Sequence, residues 1–304
     1  METSDILNKI TKVKRSQQTL IDYVTAQNQI VGNKVRYCGT WLQFREWILH
    51  NETRLLNANF CKKWALCQAC AVRRAARMNQ AYLPKVEKIV DENPSLIPAM
   101  VTLTIKNGSD LEERLNHFKS TWKKMGAAKR KGASSSSRNG LVEWNKVVGS
   151  IRAIETTVSK KREWHVHAHC FVMLSDYIDR EKLSEEWLGW SGDSKIVHVT
   201  KCDKGIKSGL VETLKYITKF SKLTAAETYH VHEIFAGSRC IDPQGILRGV
   251  PAVDIDNDEI EPELDGPYRD FIAQWLWDEM RFELVQRPEK LIYDRPSKPT
   301  EIPF

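Results

Sequence analysis

The chain has few histidines, 8 in 304 residues, and no run of 18 apolar residues. The second absence removes a membrane-spanning helix from consideration. The amino-terminal METSDILNKITKVKRSQQ has no apolar core of the signal-peptide kind, so the expected location is cytoplasmic. No GxxxxGK[ST] phosphate loop occurs, so no fused helicase is expected. The 7 cysteines are an odd number, which argues against a complete disulfide framework. In a reducing compartment, clustered cysteines more often bind metal. Neither sign of charge dominates. Lys and Arg total 46 against 39 Asp and Glu, a net +7 that permits nucleic acid without requiring it. At 41% hydrophobic the chain can bury a sizeable core, in about two domains or one large one.

Against this background the scarce histidines are concentrated. In REWHVHAHCFVML, His165, His167 and His169 occupy alternate positions and an apolar run follows. Side chains on a strand alternate faces, so the three imidazoles share one face. A helix would scatter them. The Val, Phe and Cys content favours a strand. Imidazoles this close can share a metal ion, and Zn, Mn, Fe and Ni all accept them. The plain alternative is a polar strand face without a ligand role.

The remaining pattern alternates strands and helices. Residues 3–28 and 71–91 read as helices, the latter with Arg73, Arg74 and Arg77 near its start and Pro84 as a kink. Strands are expected at 98–105, 147–158 and 195–202, and helices at 110–125, 179–191 and 209–222. The stretch AAKRKGASSSSRNG reads as a basic, flexible loop. The strand at 147–158 and the histidine strand are expected to pair as an antiparallel hairpin. DIDNDEIEPELD reads as an acidic loop and YRDFIAQWLWDEMRFELV as a last helix. The fold class is α+β, an antiparallel sheet with helices packed on it.

Cys61-x5-Cys67-x2-Cys70 supplies three thiolates, two of them in a CxxC knuckle. Structural zinc takes four ligands in a tetrahedron. Cys38 is the best fourth and His50 the alternative. Buried cysteines without metal are the plain reading. Cys170, Cys202 and Cys240 are isolated and read as core residues. Farther on, Glu212, Tyr216 and Lys219 fall on one face of the helix at 209–222. Alone that is an ordinary amphipathic helix.

The order of these stretches carries more than any one of them. CGTWLQFR with FCKKWALCQACAVRRA, then MVTLTIKN, VGSIRAIETT with WHVHAHCFVML, ETLKYITKFSK and AGSRCIDPQGILRG together resemble the rolling-circle replication initiators of small plasmids, within the His-hydrophobic-His endonuclease superfamily. Two positions depart from that pattern. The small Ala168 stands between the paired histidines, and Gln68 stands where a proline usually follows the middle cysteine.

The resemblance implies a nicking endonuclease core over 96–250, a helical and zinc-binding region over 1–95, and a carboxy-terminal acidic loop and helix over 251–304. It implies that His167 and His169, with Glu155 from the neighbouring strand, hold a catalytic Mg²⁺ or Mn²⁺, and that Cys38, Cys61, Cys67 and Cys70 hold structural Zn²⁺. Tyr216 is then the nucleophile that nicks single-stranded DNA through a 5′-phosphotyrosyl link and frees a 3′-OH primer. Lys219 stabilises charge or lowers the tyrosine pKa, and Glu212 activates water for the terminating cleavage. Origin DNA and a host helicase are the expected partners. Two other classes fit the same residues: a zinc-containing DNA-binding protein without catalysis, and a transposase or relaxase of the same superfamily.

Overall fold

A computed structural model describes residues 3–132, 141–203, 205–215, 222–249 and 264–286. The chain divides into two compact units, one formed by 1–63 with 256–304 and the other by 64–255.

In the first unit the expected helix over 3–28 is two, α1 (Thr3–Ser16) and α2 (Gln18–Gln27), interrupted at Gln17 and followed by α3 (Gln29–Arg36). Asn28 caps α3 by accepting the Val31 backbone N–H, which satisfies one of the open donors of the first turn. Strands β1 (Trp41–Trp47) and β2 (Glu52–Ala58) form a hairpin.

The last helix expected over 268–285 is not formed. The segment is a second hairpin, β8 (Tyr268–Leu276) and β9 (Arg281–Gln286), and the sheet order is β2-β1-β8-β9. Phe271, Ala273 and Trp275 are buried at a period of two against Leu42, Phe44 and Phe282. Asp278, Glu279 and Met280, with Met280 in the left-handed region, make the turn. Aromatic residues fit both periodicities, and here the edge of β1 that β2 leaves open offers backbone groups that only a strand can satisfy, from Trp41 to Trp47.

The second unit begins with α4 (Gln68–Glu92), which runs through Pro84. The domain boundary read at 95/96 therefore does not coincide with the unit boundary. Five antiparallel strands follow in the order β6-β3-β5-β4-β7: β3 (Ile97–Thr104), β4 (Val147–Val158), β5 (Trp164–Leu174), β6 (Val197–Lys201) and β7 (Ile241–Gly245). The expected β4–β5 hairpin is present, with β5 at the centre of the sheet. Its helices are α5 (Leu111–Gly132), α6 (Arg180–Ser191), α7 (Ile206–Leu214) and α8 (Ala225–Phe235).

Helices cover both faces. On the face away from the histidines, Trp122 of α5 stacks over Arg152 at 5.0 Å and bonds Asp242, and Phe118 meets Trp187 of α6. Helix α7 lies on the histidine face, and Gly209 sets its approach. A Cβ there would sit 2.6 Å from Cys202 Sγ and 3.3 Å from the Phe171 ring. Gly209→Ala is expected to cost about 1–3 kcal/mol, the usual range for overpacking. Urea unfolding of Gly209→Ala alone and with Cys202→Ala checks it: the second change should restore part of the loss.

Candidate metal centre and nucleophile helix

The register of the sheet assembles the centre. Glu155 on β4 is directly opposite His167 on β5, and Thr102 on β3 is directly opposite His169. Directly opposed residues share a face. Glu155 is fully buried, His167 nearly so, and His169 is half-buried. Their ligand atoms all lie within 4.8 Å of one another. Glu155 Oε2 stands 3.2 Å from His169 Nε2 and 3.4 Å from His167 Nε2.

The other ring nitrogens explain the orientation. His169 Nδ1 bonds Thr102 Oγ1 at 3.0 Å, which leaves Nε2 turned to Glu155. His167 Nδ1 is buried without a hydrogen bond among the described residues. The third histidine goes elsewhere: His165 Nδ1 meets Asn107 Oδ1 at 2.7 Å. Its ring is tilted against that of His167, with centroids 4.9 Å apart, but it does not join the group around Glu155.

A buried carboxylate oxygen and two imidazole nitrogens converging on one point suit a divalent ion that keeps open positions for an oxygen ligand. Thr102 holds the His169 ring through Nδ1, the kind of outer partner that orients an imidazole offered to a metal. Thr102 and Asn107 were not singled out by sequence. Their signal lay in MVTLTIKN, where the strand alternation puts Thr102 on the histidine face.

Glu212 lies on α7 with its side chain 43% exposed, and it pairs with Lys215 at 2.5 Å. Tyr216 and Lys219 lie outside the described residues. Of the tyrosines that could replace Tyr216, Tyr177 is exposed under Lys201 and Tyr229 is near His232 on α8.

The cysteines are described within their own units. In the first, the Cys61 backbone N–H donates to Cys38 Sγ at 3.3 Å and the Lys63 N–H to Cys61 Sγ at 3.4 Å. In the second, Cys67 is the residue before α4 and Cys70 is in its first turn, both buried. No disulfide joins any cysteine. His50, the alternative fourth ligand, is exposed and bonds the Asp265 carbonyl. Burial pushes the Cys170 thiol up to about 12 and those of Cys202 and Cys240 up to about 11, which keeps them protonated as core residues.

The class of protein enters at this point. Residues 52–270 match the family described as "Replication protein", and the chain belongs to that family. The chain is also 28% identical, over 223 residues, to "Protein rep" of Streptococcus pneumoniae serotype 2 (strain D39 / NCTC 7466), covering 67% of this chain and 65% of that relative. The match thus spans slightly less than two thirds of the relative's length. Both agree with the resemblance to rolling-circle plasmid initiators drawn from the sequence. No solved structure matches. Among the described residues no helix is long and apolar enough to cross a membrane.

Thr102→Val removes the oxygen that holds His169 Nδ1 while keeping the strand shape. Mn²⁺ affinity, followed by calorimetry, should fall about 10–100-fold with little change in melting, as for other outer-shell partners of metal ligands.

Proposed function

We propose that the protein initiates plasmid rolling-circle replication by nicking and rejoining single-stranded DNA. The observation that carries this reading is the convergence of Glu155, His167 and His169 on the face that α7 covers. A divalent ion bound there would act as a Lewis acid toward the scissile phosphate. The chain's own groups do the rest. Glu155, His167 and His169 would hold that ion, while Thr102 orients His169 and Asn107 holds His165 beside it. The Tyr216 phenolic oxygen attacks phosphorus, the bond to the 3′ oxygen breaks, and that oxygen leaves as the 3′-OH after taking up a proton. The 5′-phosphotyrosyl bond preserves the energy for rejoining. Lys219, one turn on, stabilises the developing charge. Glu212, four residues before Tyr216, serves as general base for water in the terminating cleavage. DNA is the substrate, and unwinding falls to a separate helicase.

On their spacing in the chain, Cys61-x5-Cys67-x2-Cys70 with Cys38 upstream, these four residues are proposed as one structural zinc set. Backbone N–H groups donating to Cys38 and Cys61 sulfur, and a CxxC pair at a helix start, suit thiolates.

Three tests follow from this reading. His167→Ala, His169→Ala or EDTA should abolish nicking of a cognate oligonucleotide, while His165→Ala should cost less; an active His169→Ala with a dead His165→Ala would move the metal register. Tyr216→Phe should bind DNA and form no covalent adduct on a denaturing gel. Glu212→Ala should form the adduct but resolve it slowly, by about 10²–10⁴-fold, the usual worth of a general base. For the cysteines, metal analysis should find about one zinc per chain, the content of a four-ligand structural site, and Cys67→Ser should lose it with a lowered melting temperature.

A further inference from the structure

A second site lies on the opposite face of the same sheet. It is a cavity of about 300 Å³ between the end of α5 and the adjoining ends of β4 and β7. That volume is at the lower end of ligand sites, roughly 300–1,000 Å³. Lys129, Arg130 and Arg248 line it with Trp144, Ser150 and Gln244, and no carboxylate is among the lining residues. Ser150 and Gln244 are directly opposed across β4 and β7, so their side chains share the α5 face. Ser150 is five residues before Glu155, roughly 17 Å along the strand at about 3.4 Å per residue. A group bound here is therefore not the scissile phosphate.

The cations are arranged in two ways. Lys129 Nζ is drawn inward and donates to the Trp144 carbonyl at 2.9 Å and to the Val147 carbonyl, which leaves it a third hydrogen. Desolvation pushes its ammonium down to about 8, so an arriving anion would repay part of that cost. Arg130 is exposed, and its guanidinium forms no ion pair among the described residues; the same holds for that of Arg248. The backbone walls are held close by Gly245, which has φ +60° and where a Cβ would fall 2.0 Å from the Val148 carbonyl oxygen.

We propose that this cavity binds a phosphate group, carried either by a DNA strand outside the nick site or by a free nucleotide. Two guanidiniums and an inward ammonium lining one pocket match the charge of phosphate oxygens, and Trp144 and Gln244 offer an apolar edge and an amide beside them. Phosphate recognition here is independent of the chemistry at Tyr216, so binding is read and not cleavage.

The experiment uses the full chain with two probes, fluorescently labelled dATP and a labelled single-stranded oligonucleotide of mixed sequence. The variants are Arg130→Gln/Arg248→Gln, Arg130→Lys/Arg248→Lys, and Lys123→Gln/Lys124→Gln as an equal loss of charge from exposed positions of α5. If the ligand is a nucleotide, dATP binds the unaltered chain and its affinity falls at least about 10-fold in the Gln pair, as expected for losing charged hydrogen bonds. If it is DNA, dATP does not bind, oligonucleotide affinity falls by a similar factor, and the slope of log K against log salt becomes shallower by about one to two. In either case the Lys pair recovers part of the loss and Lys123→Gln/Lys124→Gln is weaker in effect. Unchanged binding of both probes in the Gln pair, or an equal loss in Lys123→Gln/Lys124→Gln, overturns the proposal.

Discussion

One carboxylate constrains this molecule. Glu155 is fully buried in the middle of a sheet, with Ala153 and Thr157 beside it on its own strand. A carboxylate taken out of water costs several kcal/mol unless opposite charge or strong donors compensate. His167 and His169 meet that need from the adjacent strand, and they can do so only because β4 and β5 pair in one register. A slip of a single residue would send both imidazoles to the α5 face and bring Val166 and Ala168 toward the carboxylate. The hairpin, the central placement of β5 and the Thr102 bond from β3 thus answer one electrostatic requirement. The same requirement makes the place attractive to a divalent cation.

The two faces of the sheet divide the work. The histidine face carries converging ligands and is covered by α7, whose close approach depends on a residue without a side chain at 209. The other face carries the aromatic layer of Phe118, Trp122, Trp144 and Trp187, in which Arg152 is buried over Trp122. That layer is what gives α5 a fixed position, and Lys129 and Arg130 at its end inherit it. Rigid elements beneath a polar group hold it to a narrower range of positions than a loop would.

The cysteines follow a different logic. Cys38 and Cys61 belong to one unit and Cys67 and Cys70 to the other, and Cys61 and Cys67 are only six residues apart. In the first unit the Cys61 and Lys63 backbone N–H groups donate to the sulfurs of Cys38 and Cys61, so local backbone orients both side chains.

Much of this could be read from the residues alone. Strand β5 and the shared face of its histidines followed from strict alternation, since a period of two has no other regular reading. The β4–β5 hairpin followed from a five-residue polar break between two β-branched runs. Helix α5 declared itself by Leu111, Leu115, Phe118 and Trp122 on one apolar stripe. By contrast, 268–285 reads as a helix because aromatic and acidic residues at mixed spacing satisfy more than one period; β1, more than 200 residues earlier, decides it by offering unsatisfied backbone groups. The sequence by itself determined that His165, His167 and His169 share one face of a strand and that this strand forms a hairpin with the one before it, because those depend on local periodicity. Only the tertiary structure decided that Glu155 meets His167 and His169 while His165 turns to Asn107, and that Lys129, Arg130 and Arg248 enclose one cavity. Those pairings depend on strand register and helix approach, which are fixed by contacts between residues far apart in the chain.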